Sequence, residues 1–308
     1  MNYQLVPRVP LLYQLAHLLI RWDVPGAWTA YENLILRHLE GRAASFRLSD
    51  GSQIWVPLTW PGMITGRALT GYEPQAIRYF AAQIAAAPAP VTLIDCGADI
   101  GVFTRLVLSK TVNVDRIIAY EPNPTSFTLL EQNLLIMEGA ERFSLIARAA
   151  AVSAVPGRAH LDIDTRYDNA HGAFITATPS GEPYHESIPV EVETIDQLEI
   201  SPDSPVALKI DIEGEEINAL KGAARVLREC PYFVVQFEAH PQVAERTKTD
   251  PSECLAYLEG MGAEESCAFC ERTGDIVSGL TADRPFFSQV DAAEIYDVVA
   301  VHAAGLRR

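Results

Sequence analysis

The chain has 308 residues, of which 48% are hydrophobic, and its formal net charge at pH 7 is −16. This length exceeds the roughly 100–200 residues of a usual domain and predicts one large α/β domain with an added N-terminal segment. The hydrophobic content is sufficient for a buried core. The negative charge repels phosphate backbones, which argues against nucleic acid as a partner of the whole chain.

No targeting or membrane segment is evident at the N-terminus. The basic stretch, long apolar core and cleavage site of a signal peptide are lacking, which predicts a cytoplasmic protein. The apolar run Val9–Ile20 is interrupted and shorter than the roughly 20 residues of a bilayer span, so we expect a packed helix. Its apolar residues are candidates for a homodimer contact. Cys267 and Cys270 form a lone pair, too few for a zinc site by themselves.

Residues 1–88 are predicted to form an N-terminal cap of helices and a β-hairpin. Helical periodicity runs through residues 9–40, with a break at Pro25-Gly26. Asp50-Gly51 is a hairpin turn signal between two strand-like runs. A further helix is expected over Pro74–Ala86, since proline is favoured in the first turn.

Residues 89–308 are predicted to form one α/β domain. Its apolar strands alternate with helical stretches, which indicates a doubly wound, mostly parallel sheet. A β-rich insertion over about 155–190 interrupts this pattern, with a strand at Ile188–Val192 and a mobile loop around His171–Pro183. The expected strands are Val91–Asp95, Arg116–Tyr120, Phe143–Val152, Val206–Ile210, Tyr232–Phe237 and Glu294–Val301, and the expected helices are Val102–Lys110, Thr125–Met137, Glu215–Arg228 and 252–261.

The first chemical motif follows the first strand of this domain. Asp95 ends a buried strand, and a turn with Gly97 and Gly101 leads into a helix. Glycine lets a ligand approach the backbone closely, and an acidic strand end suits an ammonium group better than a diphosphate. Asp95 and Asp99 together would repel phosphates, which weakens a dinucleotide interpretation.

The second motif, Glu121-Pro122-Asn123, follows the second strand. A carboxylate at this point accepts hydrogen bonds from both ribose hydroxyls of a nucleoside. Glu121 lies 26 positions after Asp95, near the spacing of about 20 expected for a ribose-binding acid. We therefore assign Glu121 to ribose, although helix capping alone is an alternative role.

Two further motifs end later strands. Lys209, Asp211 and Glu213 follow one strand, and Glu238 with His240 follows the next. Ligands bind at the carboxyl ends of strands in open α/β sheets. A histidine beside a carboxylate at such an edge is a candidate general base.

These motifs, in this order, resemble the FkbM family of methyltransferases. The resemblance implies a class I, Rossmann-like fold and S-adenosylmethionine as the methyl donor. It also implies O-methylation of a hydroxyl group on a sugar or another natural product. The segments that carry it are Tyr72-Glu73, Val192–Asp196, Lys209–Gly214, Ala219–Ala223 and Glu238–His240.

The resemblance also assigns cofactor residues. The loop after the first strand would line the methionine part, Glu121 would hold the ribose, and Glu73 would help to close the site. Two departures concern Asp99, where the family commonly has Asn, and Ala154, where an acid is frequent. The complete predicted cofactor set is Glu73, Asp95, Gly97, Ala98, Asp99, Gly101, Glu121, Pro122 and Asn123.

Methyl transfer to oxygen requires removal of a proton. His240 is the first candidate base and Asp211 the second, while Lys209 would hold a substrate oxygen or pair with Asp211. Glu238 would orient His240 or join Asp211 in coordinating a divalent metal, which the pattern permits but does not require. Glu213 completes the predicted catalytic set.

Three other functions stay open at this point. One is N- or C-methylation with the same cofactor. The others are a nucleotide-binding oxidoreductase and a non-catalytic cofactor-binding homologue. The acceptor is expected to be a small molecule.

Overall fold

The computed structural model describes residues 3–22, 24–31, 36–60, 69, 71–137, 139–165, 173–181 and 183–303. The helices are α1 Leu11–Arg21, α2 Ala27–Ala30, α3 Leu36–Leu39, α4 Pro74–Ala86, α5 Val102–Leu108, α6 Pro124–Leu135, α7 Glu216–Lys221, α8 Ala224–Glu229, α9 Pro241–Thr247 and α10 Ser252–Gly260. Short 3-10 turns occupy Ala140–Arg142, Ile195–Gln197 and Phe286–Ser288. The strands are β1 Gln4–Val6, β2 Arg42–Arg47, β3 Gln53–Pro57, β4 Val91–Cys96, β5 Val114–Tyr120, β6 Ser144–Arg148, β7 Ala150–Val152, β8 Gly157–Asp164, β9 Phe174–Thr176, β10 His185–Glu193, β11 Val206–Ile210, β12 Tyr232–Ala239, β13 Glu265–Cys270, β14 Ile276–Ser278 and β15 Tyr296–Ala303.

The central sheet has eight strands in the order β14-β13-β15-β12-β11-β4-β5-β6. The five strands from β12 to β6 are parallel, and β15 lies antiparallel between β12 and β13. This arrangement confirms the predicted class I, Rossmann-like fold. Strand order reverses where β4 pairs with both β5 and β11, which places a ligand crevice at their carboxyl ends.

The core lies on both faces of this sheet. Every residue of β4 is buried, as expected for a central parallel strand. Alternate side chains of β4 enter different apolar clusters: Leu93 packs with Phe80 and Phe103 on one face, whereas Ile94 packs with Leu220 on the other. The strand end is therefore held rigidly between two packed layers.

The predicted β-rich insertion is a four-stranded sheet in the order β7-β10-β8-β9. The prediction of one strand over Phe143–Val152 is wrong. Its first half is β6 in the central sheet, and its second half is β7, which pairs with β10. The predicted loop around His171–Pro183 contains the short strand β9, while residues 166–172 and 182 lie outside the described part.

The N-terminal segment contains the predicted hairpin, β2 with β3, and β1 adds a parallel strand that the pattern did not indicate. Asn133 on α6 fixes the hairpin to the main domain. Its side chain accepts from the Trp55 N–H at 2.7 Å and donates to the Trp55 carbonyl at 3.0 Å. Residues on both sides of position 88 share one core cluster, and the domain boundary there stays a prediction.

Helix α1 leaves an apolar face exposed. Among the described residues, no helix is sufficiently long and apolar to cross a membrane. A homodimer through α1 stays a prediction. The exposed residues of this face are Leu11, Leu12, Leu15, Leu18, Leu19 and Trp22.

One predicted helix is divided in two. The prediction of one helix over Glu215–Arg228 is wrong, because the chain turns at Gly222 between α7 and α8. A Cβ at Gly222 would overlap the carbonyl of Ser153. The backbone at Gly222 therefore lies directly against the residue that follows β7. Strands β13 and β14 at the sheet edge were not predicted.

Candidate active site

A cavity of about 470 Å³ opens at the carboxyl edge of the central sheet. Its volume is within the range of small-molecule and cofactor sites. Loops after β4, β5, β11, β12 and β13 form its floor, Trp60 and Tyr72 close one side, and Leu161 and Ile175 of the four-stranded sheet close another. The cavity therefore lies where the strand order predicted it.

The loop after β4 is held between two neighbouring strand ends. The N–H groups of Gly97 and Ala98 donate to the Tyr120 carbonyl at 3.1 and 2.9 Å. Gly97 has φ +78°, and a Cβ there would overlap the Asp211 carbonyl oxygen. Only glycine fits this position, which brings the backbone to the cavity wall.

Glu121 is only 7% exposed, and both of its carboxylate oxygens are oriented by backbone donors. The Asp99 N–H donates to Oε2 at 2.8 Å, and the Asn123 N–H donates to Oε1 at 2.7 Å. Burial, and then repulsion from Asp99, raise the pKa of Glu121 to about 8 against these two hydrogen bonds. Each oxygen retains a lone pair for a ribose hydroxyl.

Lys209 connects the ends of two strands beneath the cavity. Its ammonium Nζ lies 3.1 Å from Asp211 Oδ2 and 3.7 Å from Asp95 Oδ1, and it donates to the Gly97 carbonyl at 3.1 Å. Burial alone would lower the pKa of Lys209, but the carboxylates of Asp211 and Asp95 overcome it and raise the pKa. Lys209 thus stays charged as a structural ion pair.

Asp95 and two other predicted cofactor residues lie outside the cavity lining. Asp95 is fully buried and accepts from Thr104 Oγ1 at 2.5 Å, so its carboxylate faces protein groups. Asn123 is buried and caps α6 by accepting from the Thr125 N–H at 3.0 Å. Gly101, with φ +90°, begins α5. These residues position the loops, whereas the predicted residues that line the cavity are Glu73, Gly97, Ala98, Asp99, Glu121 and Pro122.

We divide the lining residues into two groups by the roles that we assign to them, and call these groups the cofactor half and the acceptor half. The cofactor half contains Gly97, Ala98, Asp99, Glu121 and Pro122. The acceptor half contains Glu73, Asp211, Glu213, Glu238 and Glu271.

The cavity lining is strongly acidic. Lys209 is the single lysine or arginine among the lining residues that the structure describes. Glu73, Asp99 and Glu213 have φ of +38°, +50° and +58°. Such left-handed backbone at non-glycine residues is costly and concentrates at functional sites.

His240 lies outside the lining of this cavity. It is the N-cap of α9, and its Nδ1 accepts from the Gln242 N–H at 3.2 Å. It lines a separate small cleft together with Glu238 and Val243. Burial, and then the charge of Arg246, lower the pKa of His240 while Asp211 acts against them, so the ring is neutral at pH 7. The structure does not bring the first candidate base into the cavity.

Sequence reasoning missed Glu271 and Asp297. Glu271 follows β13, a strand without a clear pattern, and no local signal marks it. Asp297 lies in β15 among buried apolar residues. A charged residue inside such a run is rare without a partner, and that signal could have identified it.

The residues of the cofactor half fit a nucleoside with a charged amino-acid tail. A buried carboxylate, oriented by two backbone donors, is available for ribose, and the glycine loop after the neighbouring strand β4 also lines the cavity. Together with the strand order, they define a class I S-adenosylmethionine-dependent methyltransferase, with S-adenosylmethionine as the methyl donor.

The family follows from a direct match. The model of the methyltransferase FkbM domain matches residues 95–267, more than half of the chain. The protein belongs to the FkbM methyltransferase family. This membership confirms the resemblance and removes the oxidoreductase and non-catalytic alternatives.

The chain is also similar to one curated relative and to solved structures. The chain is 25% identical over 222 residues to the hexuronic acid methyltransferase AglP of Haloferax volcanii, covering 71% of this chain and 80% of AglP. Precorrin-6y C5,15-methyltransferase of Geobacter metallireducens has a TM-score of 0.34 and 15% identity, covering 72% of this chain and 85% of that one. M. jannaschii TYW2 in complex with AdoMet has a TM-score of 0.39 and 12% identity, covering 84% and 85%.

Proposed function

We propose that the protein transfers a methyl group to a hydroxyl of a sugar-like small molecule. The observation that carries this proposal is the acidic lining of the cavity, to which the residues of the acceptor half contribute five carboxylates. Carboxylates accept hydrogen bonds from hydroxyl groups, and a polyhydroxylated acceptor offers several at once. The AglP relative is named for methylation of a sugar acid, which agrees with this acceptor class.

The cofactor half would orient the donor. Bound S-adenosylmethionine supplies an electrophilic methyl group on its sulfonium. Glu121 would accept hydrogen bonds from the ribose, and the Gly97–Ala98 backbone would lie along the methionine part. Val152, Leu161 and Ile175 offer an apolar surface for a flat base. Holding donor and acceptor in one orientation lowers the entropic part of the barrier.

Proton removal is assigned to a group in the acceptor half. Glu238 and Asp211 both line the cavity, and Asp211 is already paired with Lys209 at 3.1 Å. We therefore propose Glu238 as the general base and Asp211 as a group that positions the acceptor. His240 would act only indirectly, through the α9 end that it caps. A base must reach the proton that it removes, and His240 does not line this cavity.

A second candidate function is N-methylation. An acidic cavity with a single lysine in its described lining also favours a cationic amine acceptor. C-methylation stays an alternative without an observation that favours it. The cytoplasmic location and the absence of a nucleic-acid partner also stay predictions.

The test is methyl transfer to a panel of matched acceptors. A hexuronic acid, a neutral hexose and an amino sugar are each incubated with S-adenosylmethionine carrying a ¹³C-labelled methyl group. We expect labelled product from a hydroxylated sugar, with the label on oxygen by NMR. Label on the amino nitrogen alone would favour the second candidate, and label on none of the panel would contradict the sugar class.

Variants assign the base. Glu238→Gln is expected to lower turnover at least about 100-fold, because general bases typically contribute 100- to 10,000-fold. The affinity for S-adenosylhomocysteine should change less than about threefold, since Glu238 lies outside the cofactor half. Glu245→Gln, on the exposed face of α9, is the matched control. A greater loss in His240→Ala than in Glu238→Gln would overturn the assignment.

A further inference from the structure

Three carboxylates from distant parts of the chain converge beside the acceptor half. Glu73 immediately precedes α4, Glu271 follows β13, and Asp297 lies near the start of β15. One carboxylate oxygen of each lies within 4.8 Å of the others. Glu73 and Glu271 also line the cavity, so this cluster is continuous with it.

Gln236 on β12 joins two of the three carboxylates. Its Nε2 donates to Glu73 Oε2 at 3.1 Å and to Asp297 Oδ1 at 2.9 Å. Gln236 is 1% exposed and Asp297 is 4% exposed. The single amide therefore fixes one oxygen of Glu73 and one oxygen of Asp297 toward each other.

Two buried side-chain atoms at this cluster, Asp297 Oδ2 and Gln236 Oε1, have no hydrogen-bond partner among the described residues. A buried carboxylate oxygen without a donor is costly, and a proton, a water molecule or a cation would satisfy it. Asp297 stands opposite Glu238 across the β12–β15 pair, so further negative charge lies beside it.

The charges near the cluster are not balanced. Glu73 and Glu271 each place a carboxylate oxygen within 4.8 Å of one from Asp297, and Glu238 lies opposite Asp297 on β12. Lys209 lies against Asp95 and Asp211 and is not a direct partner of Asp297. Like charges at this separation require a cation or a proton between them.

We propose that Glu73, Glu271 and Asp297 bind one divalent cation, Mg²⁺, Mn²⁺ or Ca²⁺, at the edge of the acceptor half. These hard cations prefer carboxylate oxygens at about 2.0–2.6 Å, so oxygens on one ion lie at most about 5 Å apart. The separation of 4.8 Å is within that limit. This set differs from the Asp211 and Glu238 pair that the sequence suggested for a metal.

The role of the cation, unlike the site, rests on the proposed function. The acceptor half repels an anionic acceptor such as a sugar acid. A bound divalent cation would offset that charge and attract hydroxyl or carboxylate oxygens of the acceptor. Glu271 is exposed and would leave coordination positions open toward the cavity.

The experiment is calorimetric titration of the full chain with MnCl₂, in the presence of S-adenosylhomocysteine. We expect one site with a dissociation constant below about 1 mM, within the range of oxygen-ligand sites in proteins. MgCl₂ or CaCl₂ should compete for it. Glu271→Gln should weaken Mn²⁺ binding at least tenfold. Because Glu271 is exposed, this variant should fold as the wild type does, which circular dichroism checks.

Control variants distinguish the loss of a metal ligand from a general change in the charge of the protein. Glu265→Gln, exposed at the start of the same strand β13, should bind Mn²⁺ within about twofold of the wild type. Asp297→Asn should lose binding as Glu271→Gln does, with its folding checked by circular dichroism. Failure of the folded wild type to bind any of the three ions, or equal binding by Glu271→Gln, would overturn the proposal.

The experiments distinguish an error in the proposed metal site from an error in the proposed function. Mn²⁺ binding is measured without an acceptor, so it stands even when no sugar is methylated. Methylation of a sugar by a chain that binds no cation would instead retain the function and remove the site.

Discussion

The cofactor half of the cavity carries two carboxylates and the acceptor half carries five, and the two sets are satisfied differently. In the cofactor half, both oxygens of Glu121 receive backbone N–H groups. In the acceptor half, burial and then repulsion from neighbouring carboxylates raise the pKa of Glu238 and of Glu271. The first half is preorganised by its own backbone, whereas the second depends on what binds.

This difference fits the chemistry of the two ligands. The methyl donor is the same in every catalytic cycle. Loops that already hold Glu121 rigidly in the free protein therefore add no ordering cost when the donor binds. In the acceptor half, Asp211 is paired with Lys209, and Glu213 is paired with Arg246. Glu238 and Glu271 face other carboxylates, and hydroxyl groups, an amine or a cation would reduce that repulsion. Three predictions test this comparison, from the largest expected effect to the smallest.

The largest effect is expected from Lys209→Met, which removes the cation beneath both halves. Asp95 would be left fully buried beside Asp211 without its positive partner. Breaking a buried ion pair in this manner destabilises a protein by about 3–5 kcal/mol. Urea unfolding followed by circular dichroism measures the loss.

A double variant checks the cause. Lys209→Met with Asp95→Asn should recover part of the lost free energy of unfolding, because the stranded charge is then also removed. An unchanged stability in the single variant would show that Lys209 does not hold the strand ends together.

The second effect concerns Glu121→Gln in the cofactor half. Replacing the carboxylate by an amide removes two charge-assisted acceptor positions, and charged hydrogen bonds contribute about 1.5–3 kcal/mol each. We expect S-adenosylhomocysteine to bind about 100-fold more weakly, measured by calorimetry. Asp115→Asn, exposed on the same strand β5, should bind as the wild type does. An equal loss of affinity in both variants would mean that the overall charge of the protein, and not Glu121 itself, causes the effect.

The smallest effect is a pH dependence of cofactor binding. The pKa of Glu121 is raised to about 8, so the free protein is largely protonated there at pH 7. Ribose hydroxyls favour the ionised form, and affinity should therefore rise as the pH increases through 8 and level off above it. From pH 7 to 8.5 we expect about a tenfold gain for S-adenosylhomocysteine, since each pKa unit corresponds to about 1.36 kcal/mol.

The matched comparison is the same titration with Glu121→Gln. Its binding should be independent of pH in this window, because the amide does not ionise. A parallel rise in the variant would assign the dependence to another carboxylate of the cavity.

Local patterns in the sequence predicted most of the cofactor half. Strand β11 has the predicted bounds, and an acidic residue after each apolar run marked the sheet edge, because parallel strands end at one edge. Patterns failed where two segments of one run belong to different sheets. Arg148 ends β6 and Ala150 begins β7, and nothing within the run itself distinguishes them.

The sequence by itself determined the alternation of elements, the glycine loop and Glu121, since each depends on residues close together in the chain. Only the tertiary structure decided that His240 caps a helix outside the cavity and that Glu73, Glu271 and Asp297 meet. Such contacts depend on strand order and register, here the antiparallel insertion of β15 between β12 and β13. Order and register are set by packing across the whole sheet, which no local pattern specifies.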